Sequence, residues 1–265
     1  MSEGKPDLST AAPTAGLSTT PRLFVDADLS AGGEITLPPP ASHYLTQVMR
    51  RAAGDVVRLF DDRSGEWAAT VTVPHRKATA VRLMQHLGPR EAVPDLWLCA
   101  APLKRGRIDW VAEKACELGV ARFVPVLTAR TVIDKLNLDR LRAHMVEAAE
   151  QCGRTALPAL AEPVALGALL AAWQPERALI FADETGGALL AATLAGVPAP
   201  AAILIGPEGG FTPDERAAVR ALPQTDAVSL GPRILRADTA AVAAVAVWQA
   251  MAGQVEASVN ANLTE

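Results

Sequence analysis

The chain has 265 residues, a formal net charge of −4, a pI near 5.7, half of its residues hydrophobic and 4% aromatic. That length admits one large or two ordinary domains and a core sufficient for an enzyme. The acidic balance excludes attachment to nucleic acid through overall charge, and so few aromatics argue against an extended base-stacking platform. No uncharged apolar run is long enough to cross a membrane, and the first 22 residues contain no signal-like apolar stretch. Cys99, Cys116 and Cys152 are odd in number and widely spaced, fitting neither a disulfide framework nor a zinc site. A soluble cytoplasmic protein without metal is expected.

Residues 1–20 are rich in Ser, Thr, Ala, Pro and Gly, too poor in large apolar groups to offset the entropy of ordering, and are expected to be a disordered tail. Over residues 21–90 short β-like runs follow one another: "RLFVD", "GEITL", "DVVRLFD", "EWAATVTV" and "KATAVRLM". Gly, Pro and Asp break them at roughly ten-residue intervals, which predicts a small all-β barrel. "SHYLTQVMRR" interrupts them with Tyr44, Leu45, Val48 and Met49 at helical spacing after Ser42, predicting one short helix.

After the linker "GPREAVP" the period changes, and a second domain is expected over residues 95–255. Strand "DLWLCAAPL" leads to a helix with Ile108, Val111, Ala112, Ala115 and Leu118 on one face, ending at Gly119. Strand "ARFVPVLT" leads to a helix carrying Leu138, Leu141, Met145 and Ala148. Strands "ALIFADE", "AAILIGPE" and "DAVSLGPRIL" alternate with helices predicted near residues 187–195 and 212–222, and "TAAVAAVAVWQAMA" closes the chain. Such alternation means βαβ units, a mainly parallel sheet and helices on both faces.

Two loops stand out. Thr212, Pro213, Asp214 and Glu215 occupy the N-cap and first helical positions, the pattern of a capping box with Pro at N1. Two carboxylates in that turn and Glu208 before the glycines disfavour a phosphate cradle, and Gly206, Gly209 and Gly210 spell no phosphate-loop motif. The next strand leaves through Gly231 and Pro232 toward a helix capped by Asp238 or Thr239. Leu204, Ile205, Leu230, Ile234 and Leu235 would then line an apolar slot edged by backbone groups, suited to an adenine, at the carboxyl ends of parallel strands. Ordinary β-to-helix turns remain the plainer alternative.

Five segments in register, "HYLTQVMRRAAGD", "EKACELGV", "EAAEQCGR", "ILIGPEGGFTPDE" and "LGPRILRADTA", resemble the ribosomal RNA small subunit methyltransferase E family over about residues 22–251. That resemblance implies a PUA-like barrel for RNA, a SPOUT-type α/β domain whose trefoil knot holds S-adenosylmethionine, and a homodimer. It also implies methylation at N3 of a uridine in 16S rRNA, in free form or within the small subunit. The family usually has Glu where Asp238 stands, so that carboxylate reaches one methylene less far.

The uracil N3 carries a proton that must leave as the methyl arrives, placing charge on two carbonyl oxygens, and an Arg beside them stabilises it without losing its own charge. Arg236 and Arg154 are the candidates, with Glu150 to steer Arg154 or take the proton. The expected cofactor contacts are Leu204, Ile205, Gly206, Glu208, Gly209, Leu230, Gly231, Ile234 and Leu235; Arg22, Arg50 and Arg51 are the expected RNA contacts. Four histidines show no triad or metal spacing, and methyl transfer from a sulfonium needs no nucleophilic Cys152. A methyltransferase for another RNA base or ribose, a non-catalytic assembly factor of the same fold, and a nicotinamide-dependent oxidoreductase are the competing functions. The missing dinucleotide fingerprint opposes the last.

Overall fold

The computed structural model describes residues 20–104, 106–133, 135–194 and 199–262, with side chains described to residue 251. The expected tail thus lies, but for Thr20, outside the described residues. Two compact units divide at Pro89 and Arg90.

The first unit is a curled five-stranded sheet built from β1 (Arg22–Phe24), β2 (Glu34–Thr36), β3 (Val56–Phe60), β4 (Glu66–Val73) and β5 (Ala80–Gly88). The order is β1-β3-β4-β5-β2, so the expected barrel is open between β1 and β2. Alternation along the strands turns Val57 and Leu59, Ala69 and Val71, and Val81 and Leu83 into one core with Leu23, Leu37 and Leu45. The interrupting helix differs from expectation. It starts earlier, as α1 (Pro39–His43), with Pro at its first turn where the missing N–H costs nothing. Ser42, expected as the cap, is buried inside it; its hydroxyl donates to Leu37 O at 3.0 Å and accepts Thr79 N–H at 2.8 Å. A π-helical turn, Tyr44–Val48, follows, and the chain leaves it through Arg50 at φ 51°.

Arg22 does not have the solvated position expected of a phosphate contact. Its Nε is 2.5 Å from Glu66 Oε1 and its guanidinium lies 3.9 Å from the centre of the Phe60 ring, in a largely buried cluster. Local spacing gave no sign of this because Glu66 lies 44 residues away in sequence.

In the second unit β6 (Leu96–Ala100), α2 (Arg107–Glu117), β7 (Arg122–Leu127), α3 (Leu138–Cys152), β8 (Ala159–Leu160), β9 (Val164–Ala165) and α4 (Leu166–Ala171) come first. Next are β10 (Ala178–Ala182), β11 (Ala188–Leu189), α5 (Leu190–Thr193), β12 (Ala201–Ile205), α6 (Pro213–Ala221), β13 (Thr225–Ser229) and α7 (Ala237–Asn262). The strands run β11-β13-β10-β12-β6-β7-β8, paired in parallel throughout, with β9 also on β7. Ala202 and Leu204 of β12 face a core shared with Leu166 of α4 and Val219 of α6. The pleat turns Ile203 and Ile205 to the other side, where α7 packs on β12, β6 and α2, and α2 on α3. The helix expected near 187–195 is reduced to the short β11 and α5, with residue 195 outside the described residues.

One connection positions the site. β13 pairs with β10 on the side away from β12, yet the helix that follows it lies over β12 and β6. Residues 230–236 therefore run back toward β12, and the two glycine-bearing loops meet.

Candidate active site

Strand β12 delivers Ile205 and Gly206 to the carboxyl edge of the sheet. A Cβ on Gly206 would lie 2.6 Å from the ring of Phe211, which packs edge-on to Phe181 with centroids 5.1 Å apart. Gly210 has φ 66°, and a Cβ there would lie 2.5 Å from Glu184 Oε1. Gly206 is needed for space beside the packed ring and Gly210 for its left-handed backbone, since the Glu184 carboxylate can swing aside. The loop ends in the expected capping box: Thr212 Oγ1 accepts Glu215 N–H at 3.2 Å and Glu215 Oε2 accepts Thr212 N–H at 2.9 Å. Glu215 Oε1 also accepts the Ala129 N–H at 2.7 Å, so its carboxylate fills the helix terminus that a phosphate would need. From the same β7 loop, Arg130 Nη1 donates to Gly209 O at 2.6 Å.

These loops and the end of β10 enclose a cavity of about 330 Å³, within the range for small-ligand sites. It brings together Ile205, Gly206 and Glu208 from one loop with Leu230, Gly231, Ile234, Leu235 and Arg236 from the other. Two expected contacts fall elsewhere. Leu204 is fully buried toward α4 and α6, because neighbours on a strand point to opposite faces. Gly209 is not in the cavity wall; its open side is taken by the Arg130 stem, 3.3 Å from where a Cβ would sit.

Asp183, Glu184 and Arg216 also line the wall and were not picked out from the sequence. Their signal was "ADE" at the carboxyl end of a predicted strand, where ligands gather in such sheets. Asp183 accepts Thr185 N–H at 2.9 Å, Arg216 Nε at 3.0 Å and Arg220 Nη2 at 2.8 Å. Burial alone would raise its pKa, but these hydrogen bonds and the nearby guanidinium charge outweigh it and hold the carboxyl below the ordinary range.

Arg236 is exposed on the rim, and among the described residues no carboxylate is ion-paired with it. Arg154 and Glu150 do not line this cavity. Arg154 is buried after Gly153; its Nε donates to Glu91 Oε1 at 2.8 Å and its Nη1 to Cys116 O at 2.5 Å. Glu91 Oε1 also accepts the N–H groups of Thr155 and Ala156, each at 3.1 Å. Such a clamp is structural. Glu91→Ala is expected to cost about 1–3 kcal/mol in urea unfolding, since the lost bonds are charge-assisted but half-exposed on the Glu91 side, with ligand affinity at the cavity unchanged. Asp238 lies in the first turn of α7 instead of capping it; its Oδ1 accepts Thr239 N–H at 2.9 Å and its Oδ2 is 3.8 Å from Arg107 Nε.

Burial pushes the thiols of Cys99 and Cys116 up to about 12, which removes both as nucleophiles. Among the described residues no group of His, Cys, Asp and Glu has the arrangement of a metal site, and no helix is long and apolar enough to cross a membrane.

An RNA methyltransferase domain family matches residues 90–249 and an RNA methyltransferase PUA domain family residues 37–83. The chain is 31% identical to the ribosomal RNA small subunit methyltransferase E of Synechocystis, over 87% of this chain and 77% of that protein. It is 28% identical to the protein of the same name from Rickettsia conorii, over 85% of this chain and 93% of that one. Among solved structures it resembles a Legionella pneumophila methyltransferase in complex with S-adenosylmethionine, at TM-score 0.79 and 29% identity, covering 87% of this chain and 97% of that one. The Neisseria gonorrhoeae ribosomal RNA small subunit methyltransferase E bound to S-adenosylmethionine gives TM-score 0.78 and 26% identity, covering 88% and 98%.

Proposed function

The chain belongs to the ribosomal RNA small subunit methyltransferase E family, and from that premise we propose that it transfers a methyl group from S-adenosylmethionine to N3 of a uridine in 16S rRNA. The observation that carries this reading is a cofactor-sized cavity between the β12 and β13 loops, with an arginine on its rim that forms no ion pair among the described residues. The residues present fit the donor. Ile205, Leu230 and Leu235 offer an apolar wall to adenine, and no hydrogen bond within the described protein engages the backbone N–H of Leu230, Ile234 or Leu235. Glu184 and Glu208 tolerate a cation. Bound there, the donor supplies an electrophilic methyl on a sulfonium.

The chain's own part is to hold the acceptor and its charge. Arg236 stabilises the negative charge that gathers on the uracil carbonyl oxygens as N3 gives up its proton, and the two loops hold donor and acceptor in one place. Arg154 serves the fold in this reading. Arg50 and Arg51 are the RNA contacts left in the first unit: Arg50 is exposed in a left-handed conformation, and Arg51 is half-buried. The trefoil knot belongs to the same reading, supported by the backward run of residues 230–236, and so do the homodimer and the cytoplasmic location. Mass spectrometry of 16S rRNA nucleosides from cells lacking the protein is expected to show N3-methyluridine lost and, with the gene returned, restored. Its persistence would overturn the assignment.

A further inference from the structure

A second cavity, of about 640 Å³, opens at the same edge of the sheet, among the segments that follow β6 and β7. Leu103, Ile108 and Leu136 give it an aliphatic side, and Lys135, Asn137 and Arg140 a polar one. It neighbours the cofactor cavity: Arg107, next to Ile108, reaches toward Asp238 at 3.8 Å, and Ala237, next to Asp238, lines the first cavity. The β7 segment also joins them, from Arg130 on Gly209 O to Asn137 at the start of α3.

The polar side is partly fixed and partly open. Asp109 holds Arg140 at 3.0 Å, and Asn137 Oδ1 accepts Arg140 N–H at 2.9 Å, which leaves the Asn137 amide N–H groups as donors. Lys135 is exposed, with no carboxylate paired to it among the described residues. Asp139 and Glu162 on the rim balance Lys135 and Arg140, so selection here comes from contact and not from bulk charge. A base edge finds donors, a base face finds aliphatic groups, and one phosphate finds an ammonium. Chemistry on a base requires its removal from the stack, which splays its neighbours and leaves them in need of seats.

We propose that this cavity seats an RNA nucleotide flanking the methylated uridine, its base against Leu136 and Ile108 and its phosphate at Lys135; the inference rests on the reading of the chain as an rRNA methyltransferase. Leu136→Trp crowds the aliphatic side and Lys135→Ala removes the ammonium. With small subunits from cells lacking the protein as substrate, Leu136→Trp is expected to raise KM for the subunit about tenfold, and Lys135→Ala several-fold. For Lys135→Ala the slope of log affinity against log salt should also shrink by about 0.7, the share of one phosphate contact to a single strand. Calorimetric affinity for S-adenosylmethionine should match wild type in both. If Leu136→Trp loses that affinity by misfolding, Lys135→Ala decides. Wild-type KM and salt slope in Lys135→Ala overturn the subsite while the activity of the wild-type protein leaves the functional reading standing. A wild-type protein that leaves small-subunit RNA unmethylated overturns the functional reading and the subsite together.

Discussion

Arg236→Ala is expected to lower kcat by about two to three orders of magnitude while affinity for S-adenosylmethionine stays within a few-fold of wild type. The side chain stands on the cavity rim with no acid beside it among the described residues, so its charge is available to a ligand and no structural ion pair is lost on truncation. A donor aimed at an oxygen that becomes anionic only as N3 is methylated acts mainly on the transition state, which lowers kcat and spares cofactor binding. Lysine keeps the charge but not the planar fork, so Arg236→Lys should recover part of the loss. Single-turnover methylation together with calorimetry makes the separation, and unaltered turnover in the alanine variant would remove Arg236 from the chemistry.

Asp183→Ala is expected to destabilise the protein by about 3 kcal/mol and to weaken cofactor binding as well. Removing one partner of a buried ion pair costs roughly 3–5 kcal/mol. The lower end applies because the Arg220 side chain is 44% exposed and can be resolvated, while Arg216, at 19%, keeps only its longer 3.5 Å pair with Glu184. In a domain of this size that corresponds to a fall in Tm of roughly 6–12 °C. The same carboxylate gives a pH signature. Its folded pKa lies below the ordinary value of 3.8, so its contribution is complete above that value and disappears as pH falls through the folded one. Wild-type Tm should therefore drop more steeply on acidification than that of Asp183→Asn, with the two profiles parallel from neutral to alkaline pH. Coincident acid limbs would show that Asp183 is not held as described.

Local chemistry made part of this legible in the sequence. The capping box from Thr212 to Glu215 lies within four residues, and the period change after residue 90 separates sheet types without any knowledge of tertiary contacts. What escaped was set by distance along the chain. Arg154 looks like a helix-end cation beside a pocket until Glu91, 63 residues earlier, is brought to it. Arg22 looks solvated until Glu66 arrives. Leu204 and Ile205 are equally apolar in a strand buried on both faces, so composition carries no clue to which one meets the ligand. The helix at residues 39–43 begins on two prolines, a start that the Ser42 signal obscured.

The four hydrogen bonds between Glu91 and residues 154–156 bear on anyone who wishes to excise the catalytic half for crystallisation or labelling. A fragment beginning at Asp95, just past the proline whose composition advertises a boundary, would discard the acceptor for Arg154, Thr155 and Ala156 and the donor to the Thr155 hydroxyl. It would have to fold with a buried guanidinium that has lost its Glu91 partner. The natural scissors line is the Pro89–Arg90 bond, and a few residues of apparent leader before β6 are in fact a fastening of the domain they introduce.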